Sequence, residues 1–368
     1  MREDGMLVLT GREVDSVLAG QESELMAIVR SAYVAHYRGE SSLPPSTFLR
    51  FPDDPANRII ALPGYLGGEL GGAGIKWVSS FPANVARGLD RASAVVILNS
   101  MATGRPVVMM EGSLVSAKRT AASAALAAQV LHRGGPVESV GAIGCGLINL
   151  EIQRFLRRAF PSIRRIHVYD LKAERAMHFK QACLEALPGV GVEVAPDLTS
   201  LLRAVPLVSL ATTAATPHIT DLDGLAPGST ILHVSLRDLA PEVILACDNI
   251  VDDVDHVCRA ETSVHLAERR SGTREFIRCV LAEILDGKAE PRRDDRSIAV
   301  FSPFGLGVLD LAVGGFVLRR AIAAGMGIRI DSFFPESRLS APAAPRPQAS
   351  AAPQPAAAAT TVPVAVTR

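Results

Sequence analysis

At 368 residues the chain exceeds one ordinary domain and suffices for two lobes, each able to bury a core. Hydrophobic residues make up 48%, charged residues 21%, and the formal net charge is +0, which argues against nucleic-acid or acidic-membrane partners. Apolar stretches such as 94–98 and 121–130 stop well short of the roughly 18 residues a membrane span needs, so no transmembrane helix is expected.

The acidic start, with Glu3 and Asp4, is unlike a secretory signal, and a cytoplasmic protein is expected. A helix is predicted over 23–38, where Leu25, Ile28, Val29, Ala32 and Tyr33 recur at helical spacing. The pattern then changes. Segments 46–51, 58–62, 72–79, 94–99 and 106–111 are short, rich in β-branched residues and parted by Pro and Gly, which predicts an open, mostly antiparallel sheet. An alanine-rich helix over 113–132, with Ser113 as N-cap, leads into a second lobe. There, strands at 139–144, 165–170, 191–194, 207–212, 230–235 and 249–251 alternate with helices, implying a parallel sheet with right-handed crossovers. A strand at 297–301 and an apolar helix at 305–324 are predicted to carry the chain back to the first lobe. Five cysteines without a CxxC pair fit reduced, buried thiols. His256 and Cys258, following Asp252, Asp253 and Asp255, lack a complete ligand set with zinc-type spacing, so no metal is expected.

Gly144-Cys145-Gly146 follows the first parallel strand directly and opens a helix, the context a dinucleotide-binding turn requires. Gly144 can make the tight turn, Gly146 admits a pyrophosphate, and unpaired N–H groups at the helix start face its charge. Asn149 stands where a third glycine usually sits. Alone, such a glycine pair is more often an ordinary turn. The next strand ends at Asp170, 24 positions after Gly146, close to the roughly 20-residue spacing of the acid that binds the ribose hydroxyls. As a solvated strand end or helix cap Asp170 would mean nothing; as the ribose acid it repels a 2′-phosphate and favours NAD over NADP. The expected organisation is therefore α/β: a Rossmann-type NAD-binding domain over 121–302, a discontinuous α+β substrate and dimerisation domain from 1–120 and 303–335, and a disordered Ala/Pro-rich tail over 336–368.

Arg50, Lys76 and Arg119 each lie among apolar residues, and a buried cation is costly unless paired. Each alone fits a surface or ion-paired residue; together they fit a carboxylate-binding cluster in which arginine supplies a bidentate fork. The string at 74–77, Pro82, Asn84, Gly88-Leu89, Thr103-Gly104, Glu111-Gly112 and Arg119-Thr120 resembles the ornithine cyclodeaminase and mu-crystallin family. The likeness continues through Gly144, Asp170, Ser235-Leu236-Arg237-Asp238 and 302–310, nearly the whole fold-bearing chain. Segments 79–84, 90–94 and 302–307 are most similar to the dehydrogenase branch that forms 2,3-diaminopropionate.

The resemblance implies a homodimer acting on a small amino-acid substrate. Lys76, Arg119 and Arg50 would hold the substrate carboxylate; Arg91, with Lys118 and Arg237, would add charge for a tricarboxylate. Asp238 would be the acid–base residue, with Lys76 beside it as a catalytic group, although an acid before Pro241 also fits a turn or helix cap. Gly144, Gly146, Ile148, Asn149 and Asp170 would hold NAD, and Thr212, His233, Ser235 and Ser302 would line its nicotinamide side. Asn149 and Arg91 depart from the family pattern. The implied reaction is NAD-dependent cleavage of N-(2-amino-2-carboxyethyl)-L-glutamate to L-2,3-diaminopropionate and 2-oxoglutarate, for siderophore or peptide natural-product assembly. Ornithine cyclodeamination and non-catalytic ligand binding are the alternatives.

Overall fold

The computed structural model describes residues 5–133 and 135–335; the tail expected to be disordered lies outside the described residues. Strand β1 (Met6–Leu9) leads through helices α1 (Gly11–Leu18) and α2 (Glu22–Tyr37) to β2 (Ser41–Ser42), β3 (Thr47–Phe51), β4 (Asp54–Leu66), β5 (Gly72–Ser80), β6 (Ala92–Asn99) and β7 (Pro106–Glu111). Thr10 and Glu13 start α1 with a reciprocal capping box. The strands run β1-β7-β6-β5-β4-β2, with β3 on the side of β4, and only the β1–β7 join is parallel.

Helix α3 (Ser113–Leu131) packs against α2, and its alanines, nearly all buried, allow close approach on every side. Ser113 is not its cap: Gly112 holds that position, and the Glu111 carboxylate accepts the backbone N–H groups of Ser113 at 2.6 Å and Leu114 at 3.0 Å. Two carboxylate oxygens satisfy two orphan donors, which one serine hydroxyl could not.

The second lobe comprises β8 (Ser139–Ile143), α4 (Leu147–Ala159), β9 (Arg165–Tyr169), α5 (Ala173–Ala186), β10 (Gly191–Val194), α6 (Leu198–Ala204), β11 (Leu207–Leu210), β12 (Thr230–His233), α7 (Pro241–Ala246), β13 (Asp248–Val251), α8 (Val254–Val257), α9 (Ser263–Ser271), β14 (Ile277–Val280), α10 (Leu281–Leu285) and β15 (Ala299–Ser302). Its eight strands are parallel in the order β10-β9-β8-β11-β12-β15-β13-β14. The order reverses between β8 and β11, the switch point where such sheets bind ligands beyond the strand carboxyl ends.

The strand expected at 297–301 to return to the first lobe does not do so. It forms as β15 inside the parallel sheet, where Thr230 pairs with Ala299 and Val251 with Ser302. Helix α11 (Gly307–Ala323) makes the return, packing on α2, β4 and β5, and β16 (Ile328–Ile330) pairs antiparallel with β1. Both ends of the described chain thus build the first sheet. All five cysteines are buried and free; burial pushes the thiols of Cys145, Cys183, Cys247 and Cys258 up to about 12 and that of Cys279 to about 11, so they are unreactive fillers of the core. Among the described residues no helix is long and apolar enough to cross a membrane.

Candidate active site

The glycine turn sits at the switch point. Gly144 has φ +88°, and a Cβ there would lie 2.6 Å from the Ala211 carbonyl oxygen, so only glycine fits. Gly146 caps α4 with open space where its side chain would be, and no side chain caps the helix. Uncapped N–H groups therefore open α4, a ready anion site. Asn149 is fully buried and turned inward: its amide donates to the carbonyls of Ile143 at 2.8 Å and Gly144 at 2.6 Å, and its oxygen accepts from Ser209 at 2.6 Å. It pins the turn from behind, leaving no side-chain atom free for a ligand. Ile148 packs against the core.

Asp170 ends β9 beside this turn. Its carboxylate accepts the N–H of Cys145 at 2.9 Å and of Lys172 at 3.0 Å, and Arg175, which sequence reasoning missed, lies 3.7 Å away. Leu171, 87% exposed, projects next to it. An acid, an open glycine and uncapped amides in one place fit a dinucleotide.

Beyond the ends of β11 and β12 lies a second group. Asp238 is fully buried, and its two carboxylate oxygens accept the hydroxyls of Thr212 and Ser235. His218 Nε2 is 3.2 Å from one oxygen and His233 Nε2 3.4 Å from the other, while His233 Nδ1 is 3.1 Å from the Ser302 hydroxyl. Thr212, His233, Ser235 and Ser302 are thus brought together around Asp238. Burial favours the neutral acid, but His233, by hydrogen bond and charge, together with the two hydroxyls, outweighs it and holds the Asp238 carboxyl well below the usual range. Asp238 does not cap α7, whose N-cap is Ala240. His218, partly solvent-exposed on a turn, offers no periodicity by which the sequence could reveal it.

The third group is on the first lobe. Lys76 on β5 and Arg119 on α3 share the buried carboxylate of Asp310 on α11, at 2.7 Å and 3.0 Å. Lys76 also donates to Ser116 at 3.1 Å. Two cations and one anion leave a surplus positive charge in a buried place. Burial, and the charge of Arg119, push the Lys76 ammonium down to about 8 against the support of Asp310. Gly305, with φ +93°, lies against the Arg119 guanidinium, and its loop is tied down by Asp252, which accepts the N–H groups of Phe304 and Gly305 at 2.8 and 2.7 Å.

Other expected cations are placed elsewhere. Lys118 is buried against Glu151 at 3.1 Å, a carboxylate it shares with the more exposed Arg154 and which holds it away from the Lys76–Arg119 group. Arg50 is exposed on β3, opposite Arg58 and stacked over Phe48, apart from the Lys76–Arg119 group. Arg91 donates to Ser80 at 2.9 Å and Arg237 to the Ala260 carbonyl at 2.7 Å.

Comparison with known proteins agrees with this architecture. Residues 6–325 match the family model described as the ornithine cyclodeaminase/mu-crystallin family. The chain is 29% identical to N-((2S)-2-amino-2-carboxyethyl)-L-glutamate dehydrogenase of Staphylococcus aureus, over 89% of this chain and 99% of that one. The crystal structure of CmnK has a TM-score of 0.81 at 31% identity, covering 89% of this chain and 99% of its own. An archaeal alanine dehydrogenase dimer with bound NAD has a TM-score of 0.79 at 27% identity, covering 90% and 100%. With a match that takes in all three residue groups and every strand of the two sheets but β16, the chain belongs to the ornithine cyclodeaminase/mu-crystallin family.

Proposed function

We propose that the protein is an NAD-dependent dehydrogenase that cleaves N-(2-amino-2-carboxyethyl)-L-glutamate to L-2,3-diaminopropionate and 2-oxoglutarate, serving siderophore or peptide natural-product assembly. The observation that carries this reading is the surplus buried cation of the Lys76–Arg119–Asp310 group, in a fold whose other lobe carries the dinucleotide turn and a carboxylate held anionic. The likeness to the Staphylococcus aureus enzyme supports the choice of substrate.

The α4 amides, with Gly144 and Gly146, would hold the pyrophosphate of NAD, and Asp170 its ribose. Bound NAD supplies the hydride acceptor. Lys76 and Arg119 fix the glutamyl carboxylate and hence the Cα, since hydride transfer depends on close, oriented approach. Loss of hydride from Cα and a proton from nitrogen gives an imine; water adds to that carbon, the C–N bond breaks, and the nitrogen leaves as the amine of diaminopropionate. His218, at the solvent side of Asp238, accepts a proton from the attacking water, and Asp238, anionic at neutral pH, orients that imidazole and stabilises its charged form. A second copy would cover the outer face of the first sheet, where Leu49, Tyr65 and Trp77 stand exposed. Incubation with NAD+ and the substrate tests the reading: equal amounts of NADH and 2-oxoglutarate are expected, and proline from ornithine without net NADH overturns it.

A further inference from the structure

Strand register sets Arg50 directly opposite Arg58 across β3 and β4, and Arg58 opposite Ser80 across β4 and β5. The buried Ser80 hydroxyl accepts from Arg91 at 2.9 Å. Three guanidinium groups therefore gather at one end of the first sheet, although like charges directly opposite in an antiparallel pair are destabilising. A fourth comes from the other lobe. Arg237 is held below its ordinary range first by burial, then by the charge of Arg58, with Arg50 adding to it, against the weaker support of Glu261 and Asp238. Burial and a neighbouring arginine shift Arg58 and Arg91 the same way. The hydrogen bond from Arg237 to Ala260 fixes its direction between two loops whose non-glycine residues Leu236, Ala260 and Glu261 hold φ of 69°, 53° and 54°. Backbone strain of this kind persists only where the surroundings enforce it. Among the described residues none of the four arginines forms an ion pair with a carboxylate, whereas Lys76, Lys118 and Arg119 each do. Arg58, Arg91 and Arg237 are half-buried like charges without a carboxylate partner, an arrangement that costs stability.

We infer that Arg58, Arg91 and Arg237, rimmed by Arg50, form a second anion cradle across the two lobes, and that it takes a distal carboxylate of a substrate whose first carboxylate is held by Lys76 and Arg119. The two groups share one face of the sheet: Lys76 pairs with Leu62, four residues along β4 from Arg58, which separates their backbones by about 14 Å. Long side chains reaching inward close that distance to the length of a dicarboxylate or tricarboxylate. A monocarboxylic amino acid fills only the first site.

The choice of probe rests on the reaction proposed above. 2-Oxoglutarate and 2-oxobutyrate share a 2-oxo acid head and differ in the distal carboxylate. Their binding to the NADH-loaded protein is measured by calorimetry for the parent, Arg58→Met and Arg58→Lys. The parent prefers 2-oxoglutarate. Arg58→Met weakens it about 10- to 100-fold, the loss of a charge-assisted contact, and changes 2-oxobutyrate less than about twofold. Arg58→Lys falls between, keeping the charge but not the fork. Without ligand, Arg58→Met melts at or above the parent midpoint because a repulsion is removed, which separates lost binding from lost fold. No preference in the parent, or equal effects on both probes, overturns the cradle. An Arg58-dependent preference without turnover of N-(2-amino-2-carboxyethyl)-L-glutamate removes the reaction and leaves the cradle; turnover with an unchanged KM in Arg58→Met does the reverse.

Discussion

Changing Asp310 to Asn keeps shape and removes the one carboxylate shared by Lys76 and Arg119. Breaking a buried ion pair costs about 3–5 kcal/mol, because the partner charge is left uncompensated. Here two partners are stranded, but Lys76 has an escape. Its ammonium, already pushed down to about 8 with Asp310 in place, falls further without it and sheds its proton, which limits the net loss to about 3 kcal/mol. At about 2–4 °C per kcal/mol for domains of this size, the thermal midpoint falls by roughly 6–12 °C. The pH dependence carries the sign. A lysine whose folded pKa lies below its unfolded value of 10.5 releases its proton on folding, so stability rises with pH above the folded pKa. In the variant that rise begins at lower pH than in the parent, so the deficit is largest near pH 6 and shrinks toward pH 9. Scanning calorimetry of both proteins across that range measures it. A midpoint unchanged at pH 6, or a deficit that does not shrink with pH, would refute the buried-triad account.

Replacing Arg119 by Met has the opposite character, since Asp310 then keeps Lys76 as a balanced pair: the midpoint should move little while KM for the amino-acid substrate rises at least tenfold, and unfolding would contradict this. The parent KM should also rise as pH passes about 8, where Lys76 loses the charge that holds a carboxylate; a flat KM from pH 7 to 9 argues against Lys76 as a ligand. Asp170→Ala should erode preference for NAD+ over NADP+, the more so because Arg175 is then free to meet a 2′-phosphate; unchanged selectivity counts against Asp170. Trp77→Glu should turn a dimer into monomers by light scattering, and a monomeric parent refutes the proposed contact.

What the sequence shows is what is local. The buried strand ending at Ile143 and running straight into Gly144, the alternation of strands and helices after it, and Asp170 at the next strand end are legible because spacing and residue type alone define them. The place of β15 is not, since its neighbours β12 and β13 are chosen by parallel pairing across distant parts of the chain. Asp310 could have been suspected: an acid inside the apolar helix α11 is buried and must have a cation, though nothing local says that Lys76 and Arg119 are the two. Lys118 looks as free as Arg119 in sequence, and only the approach of α4 shows that Glu151 claims it. Arg58 appears merely as the first residue of a predicted strand until β4, longer than expected, sets it against Arg50 and Ser80. Asn149 departs from the glycine pattern because the turn is braced through a side-chain amide.

The most direct test of the dehydrogenase account follows NADH absorbance and 2-oxoglutarate together during turnover of N-(2-amino-2-carboxyethyl)-L-glutamate with NAD+, in the parent and in Asp238→Asn. One NADH per 2-oxoglutarate is predicted, with turnover lowered about 100- to 10,000-fold in the variant while NAD binding persists. Near-parental turnover in the variant, or an amino-acid product formed without net NADH, would contradict it.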